Sequence, residues 1–486
     1  MRNPRSIGIT TPVKAVLILL VLSFSLSALF FVKKAYMLSY PVLGAEEIRD
    51  VRIIEDHRDA LRHWQEKGIR NAVLINVDAH DDMKKIPAAD IEGMKKARSS
   101  SANGQDGGGF ATAGNNNFIY AAAKLGIVKK VVWVVPITYG IYSDSGARLV
   151  SLLKMYGFHD QDIVTFENTG RYFTGTVDGI PVIICDPETL PDLNEPVLFS
   201  VDVDFFPAMI NDTSFIITKT VVDTFTAIYK KEYEVRDAVV AYSVNGGFLS
   251  VSYRWVGNLV IDLLREPALL AEERLPTRYL FLQRADMLLL MKRYDELLHH
   301  LTPYIDEENI DPSVYIYAAQ AYHGLGDRGN SFHWAEKACL TEKMYCYGLP
   351  ELGIFLLDQY GIESAEMFFS RGYGLCPDMD HGQFRFAMAL KEAGKYDEAV
   401  RYFKTFRNCY GAFPVDFYIA ETCQLKGDNA SALAFYDSGR SAVLHDPSLL
   451  TGFGDFRAIE GAVAFYEAKG LPLQAQELRA ILNRRN

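Results

Sequence analysis

A turn that recurs at a fixed interval in the C-terminal half is the feature that most constrains how this chain of 486 residues can fold. From about Arg278 the sequence has helical patterns only, arranged in pairs around short turns. The turns begin at Lys292, Gly326, Tyr360, Gly394 and Gly427, and a weaker sixth lies further on, at Gly470. From Lys292 to Gly427 the spacing is nearly constant, which an irregular helical bundle would not produce. The region is therefore predicted to be an array of stacked helix pairs.

The spacing of the turns is about 34 residues, which is the period of the tetratricopeptide (TPR) repeat. The resemblance includes Ala399 and Ala432, each five positions after a turn glycine, and the segment that matches best is 386–403, FAMALKEAGKYDEAVRYF. We therefore predict an all-α TPR solenoid over residues 278–486. One helix pair cannot bury its apolar face alone, so neighbouring pairs stack into a superhelix with a concave surface. That surface is expected to bind a protein or peptide partner, although fold alone does not identify the ligand.

The N-terminal segment predicts an attachment to a membrane. Residues 13–32 (VKAVLILLVLSFSLSALFFV) carry a charge only at Lys14, and the uncharged run from Ala15 to Val32 is long enough for a tilted transmembrane helix. Arg2 and Arg5 precede this run, as in an N-terminal anchor or a secretory signal. We expect residues 1–35 to form an uncleaved single-pass anchor, with the bulk of the chain extracytoplasmic. A signal peptide cleaved near 25–28 (SLSA) is the alternative, but the apolar run continues beyond that point.

Composition restricts the classes of partner. The net charge of −11 argues against a nucleic-acid-binding protein, since such a surface needs basic residues to displace counterions. None of the six cysteines forms a C-x-x-C pair. We expect them to be small buried residues, with a disulfide framework as the alternative.

Between the N-terminal segment and the array, residues 45–270 are predicted to form an α/β domain. Short apolar, β-branched runs alternate with helical patterns, which is typical of an open, mostly parallel sheet covered on both faces. The predicted strands are 71–78, 130–136, 180–185, 197–203 and 238–244, and the predicted helices are 56–67, 117–125, 146–156 and 214–230. Residues 99–117, rich in Gly, Ser and Asn, are expected to form a long loop that is either a functional lid or a disordered insert.

Carboxylates and histidines follow two of the predicted strands at alternating positions. Asp78, His80 and Asp82 end the first, and Asp202 and Asp204 end the fourth. Alternate residues of extended chain point to the same side, and ligands of open α/β sheets gather at the carboxyl ends of strands. So many carboxylates would repel one another strongly without a cation. Oxygen ligands with imidazoles suit Mn²⁺, and also Fe²⁺ or Zn²⁺. Solvated aspartates in two turns are the alternative.

These residues carry a second resemblance. The segments 78–82 (DAHDD) and 200–204 (SVDVD) resemble the D-A-H-x-D and S-x-D-x-D motifs of the arginase/ureohydrolase superfamily, which also includes the histone deacetylases. Members of the superfamily have another histidine ligand a little over twenty residues before the first motif, and His57 matches that position relative to Asp78. An uncharacterised family within it also shares the segments 55–57 (EDH), 117–119 (NFI) and 131–136 (VVWVVP). The resemblance covers about 51–264.

The resemblance implies a two-manganese centre in which Asp78 and Asp202 bridge the ions. His57 and Asp82 would complete one metal, and the other ligands would be His80 and Asp204. The ions would lower the pKa of a bridging water, and Asp82 could accept its proton as a catalytic residue. Asn117 could orient the substrate, or it could be a helix N-cap. Residues 245–248 (NGGF) match a late Gly-Gly turn of the superfamily or are a plain turn. The glutamate that reads guanidinium in arginase has no counterpart, so arginine and agmatine are not indicated.

We therefore predict a membrane-anchored, metal-dependent hydrolase of a C–N bond in an amide, amidine or guanidine, with the repeats recruiting a partner. Two alternatives remain. The chain could be a TPR scaffold with a structural or vestigial metal site. It could also be a deacetylase-like enzyme that holds one zinc ion with Asp78, His80 and Asp202.

Overall fold

A computed structural model describes residues 47–86, 88–100, 113–114, 116–136, 147–209, 216–245, 247–271, 275–305, 307, 309–377, 379, 381–410, 413–445 and 456–483. The predicted membrane anchor and most of the predicted loop 99–117 lie outside these residues. Within them, no helix is both long and apolar enough to cross a membrane.

The described residues of the N-terminal half form an eight-stranded sheet in the order β1-β8-β7-β2-β3-β6-β5-β4. The strands are β1 (Val51–Ile54), β2 (Ala72–Val77), β3 (Val128–Val134), β4 (Glu167–Asn168), β5 (Phe173–Val177), β6 (Ile180–Cys185), β7 (Val197–Asp202) and β8 (Val235–Ala241). The first six strands in this spatial order, from β1 at the edge to β6, all pair in parallel with their neighbours. At the other edge, β5 pairs antiparallel with both β4 and β6. The predicted open, mostly parallel α/β sheet is confirmed.

Helices cover both faces of the sheet. They are α1 (Asp59–Glu66), α2 (Ala88–Ser100), α3 (Phe118–Lys124), α4 (Ala147–Met155), α5 (Asp160–Ile163), α6 (Phe205–Ala208), α7 (Ile217–Tyr229) and α8 (Arg254–Arg265). Successive residues of β2 enter different apolar cores: Val73 and Ile75 join the core under α7 and α8, whereas Leu74 joins the core under α1 and α3. Burial on both faces explains why the central strands are continuously apolar rather than alternating.

The C-terminal half is an array of helix pairs. The helices are α9 (Thr277–Leu290), α10 (Tyr294–Leu301), α11 (Ser313–Gly324), α12 (Arg328–Thr341), α13 (Gly348–Tyr360), α14 (Ile362–Leu375), α15 (Gln383–Glu392), α16 (Tyr396–Tyr410), α17 (Val415–Lys426), α18 (Asn429–His445), α19 (Arg457–Ala468) and α20 (Pro472–Asn483). Each predicted turn joins the two helices of one pair. A residue with positive φ lies in each turn, at Lys292, Gly326, Gly361, Gly394, Gly427 and Gly470. This periodic arrangement confirms the predicted helical array and is consistent with TPR repeats.

The array packs directly on the α/β domain. The core under α7 and α8 continues without a break into the helix pairs as far as Ile481. At the junction, the indole of Trp255 in α8 donates a hydrogen bond to the Tyr317 hydroxyl in α11, at 2.9 Å. The predicted boundaries, 45–270 and 278–486, stay predictions.

Some local expectations need correction. Strand β1 and the edge hairpin of β4 and β5 were not predicted, because short or half-exposed strands lack a long apolar run. The expectation that the cysteines are unpaired is wrong for Cys339 and Cys346, which form a disulfide. The 3₁₀ turn Lys343–Tyr347 folds the chain back after α12 and brings the two together. Cys185, Cys376 and Cys423 are buried, as expected.

Candidate metal centre

The predicted ligands converge at the carboxyl ends of three strands, β1, β2 and β7, in the parallel part of the sheet. Asp78 follows β2, Asp202 ends β7, and His57 lies three residues beyond β1. Strand β8, which lies between β1 and β7, ends near Ser243. Since these strands run parallel, their carboxyl ends lie on one edge of the sheet, and segments distant in sequence meet there.

The first group of potential ligands surrounds Nδ1 of His57. This nitrogen lies 3.2 Å from Oδ2 of Asp78, 3.2 Å from Oδ2 of Asp202 and 3.3 Å from Oδ2 of Asp82. All four side chains are buried. The positions of His57, Asp78 and Asp202 would allow the three to hold one metal ion.

The second group is built around His80 and shares Asp78 with the first. Nδ1 of His80 lies 2.9 Å from Oδ2 of Asp204 and 3.7 Å from Oδ1 of Asp78. These three residues could hold a second ion. The His80 side chain is 43% exposed, whereas Asp204 is buried, so this group lies on the open side of the cluster.

Two orphaned atoms show that the donor set fits a cation. His57 Nδ1 and Asp204 Oδ2 are buried, and within the described part of the chain neither has a hydrogen bond of acceptable geometry. Buried polar atoms are almost always satisfied, so such atoms in a native site call for an ion or a water. Because carboxylate oxygens and imidazoles are ligands that Mn²⁺, Fe²⁺ and Zn²⁺ accept, the residues present fit the predicted metals.

The pKa values of the cluster also indicate that its residues fit a cation. Burial, and then the charge of Asp202, raise the pKa of Asp204 to about 8. Burial, and then the charge of Asp78, raise the pKa of Asp82 well above its usual range. Asp204 and Asp78 raise the pKa of His80 to about 11. Without a metal ion the cluster must take up protons to limit repulsion, and bound cations would relieve that repulsion in their place.

Neighbouring polar groups fix the orientation of the ligands. Ser200 Oγ lies 2.7 Å from Nε2 of His57, so Nδ1 is the nitrogen that faces the carboxylates. The Ser243 hydroxyl donates to Oδ2 of Asp202 at 2.6 Å, and the Asn76 amide donates to Oδ2 of Asp78 at 3.1 Å. Hydrogen bonds of this kind hold metal ligands in position and tune their basicity.

Two residues at the site adopt a strained backbone conformation. Asp82 has φ +48° and Ser243 has φ +52°, a region that side-chain-bearing residues rarely occupy. The carbonyl of Asp82 accepts a hydrogen bond from the backbone N–H of Ile119 at 3.1 Å, which ties the end of the first motif to α3. Strain of this kind is concentrated at functional sites. The carboxylate of Asp81, which lies next to Asp82, accepts a hydrogen bond from the backbone N–H of Met83 at 2.8 Å.

Asn117 lies immediately before α3, at the N-cap position. Its side chain does not cap the helix, because Oδ1 accepts the N–H of Gly114 instead, at 2.8 Å. The next residue, Phe118, packs its ring against His57 with centroids 4.5 Å apart. Asn117 is thus next to a residue that touches the cluster, and its predicted contact with substrate stays a prediction.

Aromatic side chains border the open group. The ring of Phe248 packs edge-on against His80 with centroids 5.4 Å apart, and Phe248 is 51% exposed. Tyr156 packs against His80 from another direction, with centroids 6.4 Å apart. Trp133 donates from its indole nitrogen to the Asp78 carbonyl at 3.0 Å. Sequence reasoning did not assign Ser243, Tyr156 or Phe248 to the site, and only the Gly-Gly turn before Phe248 gave a signal.

Comparisons with known proteins do not place the chain in a family. No protein-family model matches the sequence, and no curated protein matches it. Among solved structures, the chain is similar to MamA AMB-1 (18% identity, 34% of this chain and 91% of that chain, TM-score 0.26). It is also similar to another crystal structure of MamA (14% identity, 34% of this chain and 94% of that chain, TM-score 0.27). Likeness at these TM-scores supports no inference about the function of this chain.

Proposed function

We propose that the protein is a metal-dependent hydrolase of a C–N bond, with an arginase-like α/β domain that holds two divalent ions, Mn²⁺ foremost. The observation that carries the proposal is the pair of histidine–carboxylate groups that share Asp78. One group consists of His57 and Asp202 with Asp78, and the other of His80 and Asp204 with Asp78. A single structural zinc would need only one such group.

The contacts favour Asp78 over Asp202 as the ligand shared between the ions. Asp78 directs Oδ2 toward His57 and Oδ1 toward His80. Asp202 directs Oδ2 toward His57 and belongs to the first group alone. Oδ1 of each aspartate also accepts a backbone N–H, from His80 at 2.7 Å for Asp78 and from Asp204 at 3.1 Å for Asp202, so these bonds do not distinguish the two.

The protein's own groups have distinct tasks in such a reaction. Two bound divalent ions would supply a water of lowered pKa and positive charge to polarise the substrate. Asp82, buried beside His57, would take up the proton that this water loses. The C–N group would approach from the side of His80, because that ligand is the exposed one. Asn117, before α3, would orient the substrate.

Metal analysis of the purified protein tests this proposal. We expect about two equivalents of Mn²⁺ after reconstitution, and Asp78→Asn should lose more metal than a variant at either single group, since both groups use it. Asp237→Asn is the matched control, because Asp237 is also buried and pairs with a histidine, His63, at 3.1 Å, but lies outside the cluster.

The outcomes separate the alternatives. One equivalent of zinc would favour the deacetylase-like enzyme, and no bound metal would favour the scaffold. If metal is bound, hydrolysis of a panel of amides, amidines and guanidines, with release of ammonia or amine as the readout, identifies the C–N bond. Metal content unaffected by His57→Ala and by Asp78→Asn would refute the site assignment.

We also propose that the array binds a protein or peptide segment. A cavity of about 500 Å³ lies between α13 and α15, with Leu357, Phe384 and Met388 as apolar lining and Asp358 and Arg385 as charged lining. Peptides selected from a random library by the intact protein should lose binding to a Met388→Glu variant. Equal binding to that variant would refute the assignment of this cavity.

A further inference from the structure

The segment 247–251, between β8 and α8, borders the candidate metal centre. The backbone N–H of Leu249 donates to the carbonyl of Ser243 at 3.2 Å, and the Ser243 side chain holds Asp202. Phe248 packs against His80. A shift of this segment would therefore change the surroundings of a ligand in each metal group.

The opposite side of the same segment is in contact with the array. A Cβ atom added at Gly247 would lie 2.2 Å from Nδ1 of His381, so the imidazole fills the space that a side chain would need. Gly247 has φ +77°, which also favours glycine. The imidazole thus lies directly against the backbone of the residue before Phe248.

The array holds His381 in place. Its carbonyl accepts the Tyr373 hydroxyl of α14 at 2.8 Å, and it is followed by Gly382, the residue before α15. Burial, and then the charge of Arg385, lower the pKa of His381 to about 4. The ring is therefore neutral at physiological pH, and its buried Nε2 has no hydrogen-bond partner among the described residues. Its role against Gly247 is steric rather than ionic.

A second contact fixes the end of the segment. Glu351 of α13 accepts the backbone N–H of Val251 and the hydroxyl of Ser250, both at 2.8 Å. Helix α13 and His381, two residues before α15, thus hold the segment at two points, on either side of Leu249. The array therefore restrains the chain that carries Phe248.

We propose that His381 is a positioning residue for the metal centre: it wedges Gly247 from the array side and so keeps Phe248 packed on His80. This inference rests on the proposed function, because it assigns a consequence to the orientation of a metal ligand. The array is then part of the site as well as a binding module. Loss of the imidazole lets Phe248 withdraw and leaves His80 less well oriented.

The test uses Co²⁺ as a spectroscopic probe in the full chain. His381→Ala should weaken Co²⁺ binding at one of the two positions by about ten-fold, the effect typical of losing a group that orients a ligand. In a Phe248→Ala background the same substitution should cause no further loss, because both act through one contact. His323→Ala is the control, since His323 is a partly buried array histidine that packs on Phe355.

Hydrogen exchange measured on the metal-free protein provides a readout that needs no metal. His381→Ala should speed exchange in peptides that contain 247–251 and 78–84. A wild-type protein that binds no Co²⁺ would refute the proposed function. Hydrogen exchange alone would then test whether His381 restrains the segment 247–251. Unchanged exchange in these peptides would overturn it, as would faster exchange with unchanged Co²⁺ binding.

A complementary pair of variants covers the case in which His381→Ala fails to fold. Gly247→Ala should reproduce the metal and exchange effects by collision with the imidazole. Gly179→Ala is the matched control, because Gly179 has the same φ of +77° and no atom of a described residue within 4 Å of its added Cβ. Equal effects of the two glycine substitutions would show that backbone strain, and not His381, is responsible, and would overturn the inference.

Discussion

We predict that the ionisation of Glu351, at the junction between the two halves of the chain, makes the free energy of unfolding depend on pH. Burial raises the pKa of its carboxyl group from 4.5 to about 7, against the opposing effect of its hydrogen bonds to Val251 and Ser250. The folded protein therefore retains this proton between pH 4.5 and pH 7, where the unfolded chain has lost it. Because the folded pKa of an acid is raised, the stability contributed by this group is present at low pH and falls as pH rises through this window.

The magnitude follows from the difference between the two pKa values. Each pKa unit corresponds to about 1.4 kcal/mol, so full ionisation of Glu351 lowers the free energy of unfolding by about 3 kcal/mol. Between pH 5 and pH 8 the loss is about 2 kcal/mol, since part of the window lies below pH 5. Glu351→Gln removes the ionisation and keeps an acceptor for the N–H of Val251, while its amide NH₂ can donate to Ser250 Oγ in place of the bond that Glu351 accepts from that hydroxyl. The variant should match the wild type near pH 4.5 and exceed its stability at pH 8.

The assay is denaturant unfolding followed by tryptophan fluorescence at pH 5 and pH 8. The wild-type-to-variant difference removes the contribution of all other titrating groups. Glu392→Gln, an exposed glutamate at the end of α15, removes the same charge and should show no pH-dependent difference. A Glu351→Gln variant that is destabilised equally at both pH values would refute ionisation as the cause and leave a fixed hydrogen-bonding role.

Two further substitutions test contacts within the fold by the same unfolding measurement. Trp255→Phe leaves the Tyr317 hydroxyl without its indole donor and should cost about 1–2 kcal/mol; no loss would mean that the two halves are not joined by this bond. Asp416 is fully buried and receives two hydrogen bonds from Arg407, so Asp416→Ala should cost about 2 kcal/mol by removing both bonds and leaving the partly exposed guanidinium with only the Ser438 hydroxyl among the described residues. A loss below about 1 kcal/mol would show that water replaces the carboxylate.

The predictable part of the fold is the part set by local patterns. The array could be predicted because each turn residue with positive φ, such as Gly394 or Gly427, recurs with the repeat. The central strands β2 and β7 could be predicted because burial on both faces requires continuous apolar runs. Strand β1 could not, because it is short, and Arg52 and Ile53 between its ends are exposed. Its pairing with β8 depends on a partner far along the chain, Val51 against Ala238.

The candidate site also contains residues that the sequence predicts and residues that it does not. Asp78, His80 and Asp202 could be selected because carboxylates and histidines at alternating positions after buried strands are uncommon without a cation. Ser243 could not, since a serine after a strand has no distinguishing pattern. Its role arises from the position of β8 beside β7, which brings its hydroxyl within 2.6 Å of Asp202. Sequence motifs therefore predict the groups that bind charge but not the groups that orient them.

The contact between the array and the site could not be predicted for a related reason. The repeat period describes each helix pair by itself, and His381 falls between two pairs, where the period places no constraint. What brings it to Gly247 is the continuous core, which fixes α13 and α15 relative to α8. The sequence of α8 carries a sign of this, because its buried positions include Trp255, Val256, Ile261 and Leu264, which lie on more than one face of the helix. A helix with apolar residues on several faces must be covered by more than the sheet. The extra cover is the array, and its rigid attachment is what would allow His381 to act on a metal ligand.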